Sequence, residues 1–119
     1  MPSKKNYTLK VRIWIDEDQG PFLGVGRAAL LQKIGETGSI TNAAKALRMS
    51  YRNAWQLVED MNRRSALPLV EKIHGGAKGS GAVLTKEGAR LVKAFATVQE
   101  EIRAHARKKI SKLFPGQIG

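Results

Sequence analysis

A mainly α chain with a small β component is the fold class that this sequence predicts, and three observations carry that expectation. Two short helical patterns meet across only a few residues in "GSITNAAKALRMSYRNAWQLVEDMN" (38–62). Two short apolar runs flank the glycine-rich "HGGAKGSG" (74–81). A stripe of apolar residues at 4,3,4 spacing, Leu91, Phe95, Val98 and Ile102, opens a long final helix.

Taken from the N-terminus, residues 7–15, "YTLKVRIWI", set Tyr7, Leu9, Val11, Ile13 and Ile15 against Thr8, Lys10, Arg12 and Trp14, the period of a half-buried strand. "DEDQGPF" supplies a turn and Phe22 with Leu23 a short return strand, so an N-terminal hairpin is expected over 7–23. From Arg27, Ala28, Leu30, Leu31 and Ile34 recur at helical spacing, and Gly38 stands where a helix stops. Ser39 or Thr41 caps a second helix with Ile40, Ala43, Ala44 and Leu47 as its apolar face. "RMS" leaves room only for a tight turn before Ser50 caps a third helix, in which Ala54, Leu57, Val58 and Met61 share one stripe. This places three helices within 27–65.

Pro68 ends that region, and "LVEKI" (69–73) with "AVLT" (82–85) reads as a second hairpin over 69–85. Thr85 caps the long helix, 86–114, whose stripe continues through Ala106, Ile110 and Leu113 one position out of phase. Ala43, Ala44 and Ala46 give the second helix a surface without bulk, which lets two helices cross closely at a steep angle. Three helices, the last two joined by a tight turn, then a hairpin and a long helix, are the order of a winged helix-turn-helix. A single domain over 1–119 is expected.

The 21 Lys and Arg against 10 Asp and Glu give a formal net charge of +11, so polyanions are the natural partners. With no cysteine there is no disulfide framework and no thiolate metal site, and His74 and His105 lie far apart, so neither a metal nor a cofactor is expected. "MPSKKNYTLK" lacks the apolar stretch of a signal peptide, and no run approaches a membrane span, which suits a soluble cytoplasmic protein. No nucleophile, base and orienter recur in a pattern that would support catalysis, so no enzyme is expected.

On such a fold the chemistry lies at the start of the third helix. A major groove admits an α-helix, and its base edges are told apart by side chains that donate and accept in fixed geometry. Arg52 can bond guanine bidentately and Gln56 adenine; Tyr51 can meet a sugar, a base methyl or a phosphate; Ser50 and the N–H groups of the helix end suit a phosphate. Asn53 sits where a polar residue serves either a base or the cap, and Trp55, at the edge of the stripe, packs with partial exposure. In the second hairpin, glycines let the backbone lie close to a sugar-phosphate strand and Lys78 adds a charge. The same tip lacks the Gly-Lys-Ser/Thr ending of a nucleotide-binding loop and precedes a strand. Double-stranded DNA is therefore the expected partner, with non-specific packaging of nucleic acid as the alternative. A second copy, paired through the final helix and the N-terminal hairpin, would cover the long stripe.

"GSITNAAKALRMSYRNAWQLVEDMN" followed by "LVEKIHGGAKGSGAVLTKEGARL" resembles the N-terminal DNA-binding domain of ModE-type molybdate-responsive regulators, relatives of the LysR-type winged helix. The resemblance covers roughly residues 24–104. It implies a homodimeric transcriptional regulator, with Ser50, Tyr51, Arg52, Trp55 and Gln56 facing DNA and Lys78 in the wing. Full-length members of that family carry molybdate-binding domains after the long helix, whereas only "PGQIG" follows Phe114 here, so a short form without that sensing function is expected. The strand pattern at 7–15 also departs from the opening helix of the full-length form.

Overall fold

In the computed structural model, which describes residues 5–74 and 81–119, the elements run β1 (Ile15–Glu17), β2 (Gly20–Leu23), α1 (Val25–Thr37), α2 (Ile40–Ala46), α3 (Tyr51–Arg64), β3 (Val70–Ile73), β4 (Gly81–Leu84) and α4 (Lys86–Ile110). The strands form two separate antiparallel pairs, β1 with β2 and β3 with β4. Three helices and the β3–β4 wing enclose one apolar core. Leu30, Leu31 and Ile34 of α1, Ala43 and Ala44 of α2, Ala54, Val58 and Met61 of α3, and Leu69, Val70 and Ala82 of the wing are all buried there. The helical stripes read from the sequence are the faces that meet, because a 3.6-residue period brings those positions to one side.

Serines and a threonine open the helices that carry the site. The Ser39 hydroxyl accepts from the Asn42 amide at 2.8 Å, so Ser39 caps α2 and Thr41 does not. Ser50 does the same for α3 through the Asn53 amide at 3.0 Å. Thr85 accepts from the Gly88 amide at 3.0 Å and donates to the Pro68 carbonyl at 2.6 Å, joining the start of α4 to the segment before β3.

The wing is fastened to the helices by backbone contacts. Gly38 ends α1 with φ of 75°, and its carbonyl accepts from Ala82 of β4 at 2.9 Å. A β-carbon on Gly81 would lie 2.9 Å from that same carbonyl, so a side chain there would push the strand off the helix end. Gly88 of α4 lies directly against the Leu69 backbone, leaving no space for a methyl group. Asn62 completes the junction: its Oδ1 accepts from the amides of Leu69 at 2.8 Å and Val70 at 3.2 Å, and its Nδ2 donates to the Val70 carbonyl at 3.0 Å.

The paired strand expected over 7–15 is corrected by the structure. Only Ile15 of that run belongs to β1, and the hairpin occupies 15–23, with Asp18 and Gln19 at its turn and a bulge between Ile15 and Asp16. The alternation is real as burial, since Leu9, Val11 and Ile13 are half-buried while Lys10, Arg12 and Trp14 are exposed. A strand also needs a neighbour for its backbone, and among the described residues none pairs with residues 8–14. Tyr7 alone forms a bridge, to Ile118 at the other end of the chain. There the Tyr7 amide donates to the Gln117 carbonyl at 2.6 Å, Gly119 donates to the Tyr7 carbonyl at 3.0 Å, and the Tyr7 and Phe114 rings lie 4.5 Å apart.

The final helix is regular from Lys86 to Ile110 and breaks into turns before Phe114. It buries Gly88 and Phe95 against the rest of the protein and then leaves it, which stretches the molecule to 66 × 30 × 22 Å. Val98 and Ile102, on the expected stripe, are 45% and 42% exposed.

Candidate nucleic-acid interface

The α2–α3 connection is made by one residue in an unusual conformation. Arg48 has φ of 56°, in the left-handed region, and this lets the Met49 amide reach back to the Ala44 carbonyl at 3.0 Å. The chain thus closes α2 and reaches Ser50 within four residues of Ala46. A β-carbon costs roughly 1 to 2 kcal/mol in that region, so glycine is the residue expected there on stability alone. Instead an exposed arginine is displayed between the two helices.

With α3 capped by Ser50, its residues separate by direction. Ala54, Val58 and Met61 are buried, while Tyr51, Arg52, Asn53 and Gln56 are exposed. Among the described residues no hydrogen bond or ion pair engages the side chains of Arg52 or Gln56. Asn53 contributes its backbone amide to the cap and leaves its side chain outward. Ser50 accepts that bond through its oxygen, which leaves the hydroxyl proton to donate. Trp55, 37% exposed, lies under Lys72 of β3, whose ammonium stands 4.8 Å from the ring centroid. The same ammonium meets Glu59, one turn further along α3, at 3.2 Å. Lys78 lies within 75–80, outside the described residues.

Between the start of α2, the start of α3 and the wing there is an open notch of about 240 Å³, whose polar lining is Ser39, Thr41, Tyr51, Lys72 and His74. Among the described residues no carboxylate lines it.

Behind this surface, an ion network sets the direction of α3. Asp60, on the side away from the wing, accepts from Arg27 of α1 at 2.7 Å, from Arg64 at 3.0 Å and from Arg63 at 2.5 Å. Arg64 also donates to Glu17 of β1 at 2.8 Å, and Arg27 to the Pro21 carbonyl at 3.1 Å. Burial raises the Asp60 pKa, but the hydrogen bonds from Arg27 and Arg64, with their positive charge, outweigh it and hold the carboxylate below its ordinary range. Arg64 is held above its ordinary value by its bonds to Asp60 and Glu17.

Sequence reading did not find Arg48, Lys72, the Asp60 network or Asn62. Arg48 had a local signal, since a turn as short as "RMS" requires a left-handed residue and contains no glycine. Asp60 had part of one, its spacing of three and four residues from Arg63 and Arg64, but Arg27 lies 33 residues from Asp60 and Glu59 lies 13 from Lys72, so those pairings leave no local trace.

A family model described as "Bacterial regulatory helix-turn-helix protein, lysR family" matches residues 26–89, more than half of the chain. The chain is 43% identical to the molybdenum-pterin-binding protein MopB of Rhodobacter capsulatus over 83 residues, 70% of this chain and 31% of that protein. It is 45% identical to the transcriptional regulator ModE of Yersinia pestis, over 67% of this chain and 32% of that one. Against the DNA-binding transcriptional dual regulator ModE of Escherichia coli K12 the identity is 44%, over 62% of this chain and 28% of that one. The chain therefore spans about a third of the length of these relatives. Among solved structures, MepR of Staphylococcus aureus superposes with a TM-score of 0.58 at 20% identity, covering 70% of this chain and 62% of MepR. A MepR–DNA complex gives 0.54 at 19%, covering 80% and 68%. At such identities the likeness is one of fold, and that fold is the winged helix-turn-helix.

Proposed function

The chain belongs to the lysR family of bacterial regulatory helix-turn-helix proteins, and on that premise we propose that it is a sequence-specific, dimeric regulator of transcription acting on double-stranded DNA in the cytoplasm. One observation carries the reading: the side of α3 opposite its buried stripe presents Arg52, Asn53 and Gln56 with no protein partner among the described residues. A guanidinium and an amide left unpaired are the groups that read guanine and adenine edges. Tyr51 and the Ser50 hydroxyl serve the flanking backbone, Trp55 lies against it partly exposed, Arg48 adds a cation from the turn, and Lys78 adds one from the glycine-rich stretch of the sequence. The relatives described as ModE are transcriptional regulators, and one is described as DNA-binding, which supports this assignment.

Dimerisation rests on α4, whose Ala94, Val98 and Ile102 face outward beyond the core. Two copies paired there would place two α3 helices in successive major grooves about 34 Å apart, on a roughly palindromic site. Among the described residues no cluster of three His, Asp or Glu side chains could hold a metal ion, and no helix is long and apolar enough to cross a membrane.

Selection of bound duplexes from a random pool tests the reading. A two-fold symmetric consensus is expected, and Arg52→Ala should cost about 1 to 3 kcal/mol on it while relaxing one base position. Equal affinity of wild type and Arg52→Ala for consensus and random duplex at matched salt would refute sequence-specific reading by this helix.

A further inference from the structure

Lys72 is held between two partners, Trp55 and Glu59, and its position gives it a second role. Its ammonium lies over the Trp55 ring at 4.8 Å and against Glu59 at 3.2 Å, at the rim of the notch that Ser39, Thr41, Tyr51 and His74 also line. The notch combines two hydroxyl-bearing residues from α2 and its cap, a phenol from α3, and an imidazole and an ammonium from β3 and its end. All of these can donate, none is a carboxylate, and about 240 Å³ admits one tetrahedral phosphodiester with its first waters. Glu59 is the only acid in contact with Lys72 among the described residues, and it stands outside the notch.

We propose that the notch seats a backbone phosphate of bound duplex DNA and that Lys72 neutralises it by exchanging Glu59 for the phosphate. The proposal rests on the DNA-binding reading above and adds to it a phosphodiester site and a restraining carboxylate. In the free protein Glu59 screens the cation; in the complex Lys72 turns from α3 toward the notch. Glu59 therefore acts against binding, whatever the base sequence.

Anisotropy titrations of a labelled selected duplex and a labelled random duplex, over a range of potassium chloride, test this. Neutralising one phosphate contributes about 0.9 to the slope of log affinity on log salt, so Lys72→Ala should lower the slope by about that amount on both duplexes, with Lys72→Arg restoring it. Lys72→Gln keeps much of the side-chain bulk without the charge and should behave as Lys72→Ala does, which separates charge from packing. Glu59→Gln should tighten both duplexes by roughly two- to fivefold, the worth of an exposed ion pair. In the Lys72→Ala background the same change should do nothing. A slope unchanged by Lys72→Ala and Lys72→Gln, or an equal gain from Glu59→Gln with and without Lys72, overturns the exchange while leaving the DNA reading intact. Failure of the wild type to bind either duplex at low salt overturns both.

Discussion

Arg48 holds a backbone conformation that costs a non-glycine residue stability. Its backbone sits where glycine is at ease, and its side chain is exposed between the two helices that approach DNA in the proposed complex. Arg48→Gly should relieve the strain and return part of the gain as unfolded-state entropy, for a net stabilisation of about 1 kcal/mol or less in urea unfolding. The same variant should bind duplex more weakly and with a shallower salt dependence, because one cation has gone. A variant both more stable and equally tight would show that the arginine has no part in binding. At this scale the sequence was informative about residue type and silent about partners. The outward groups Arg52, Asn53 and Gln56 were legible because the helical period put Ala54, Val58 and Met61 on the other side. Lys72 was not, since a lysine in a strand reads as a solvated face until Glu59 and Trp55 are brought beside it.

Among the elements, α3 is held from two sides by different chemistry. Asn62 ties its end to the wing through three hydrogen bonds with backbone groups, and Asp60 ties its opposite side to α1 and, through Arg64, to β1. Asp60→Asn keeps the shape but removes the charge that three arginines share, and should cost roughly 1 to 3 kcal/mol by urea unfolding at neutral pH. Because the folded-state pKa of Asp60 lies below its ordinary value, its contribution is complete above roughly pH 3.9, the unfolded-state value, and is lost as pH falls through the lower folded one. The gap between wild type and variant should therefore close on acidification. A gap that persists at low pH would locate the loss in packing. Helices and wing were legible as elements because their caps and periods are local. The N-terminal strand was misjudged for the complementary reason: alternation reports which side chains are covered, whereas a strand is defined by a backbone partner, and residues 8–14 have none among the described residues.

The whole molecule is a compact head with a projecting rod. Its radius of gyration of 18.1 Å exceeds the about 13 to 14 Å of a spherical domain of this length. The excess comes from the half of α4 beyond Phe95, where Val98 and Ile102 leave an apolar face uncovered. If that face pairs two copies, as proposed, Ile102→Glu should shift sedimentation velocity from dimer to monomer at micromolar concentration and lower affinity for a two-fold site far more than for a half-site. A dimer that survives the charge would place the contact elsewhere.

The backbone bridge between Tyr7 and Ile118 also limits how that rod can move. Eight peptide units from Tyr7 to Ile15 reach at most ~26 to 29 Å, and α4 from Phe95 to Ile110 already advances ~22 Å. The leading segment is therefore a tether of bounded length between the hairpin and the outer tip. A swing that carried the tip further from Ile15 than that reach would first have to open the clasp at residue 7.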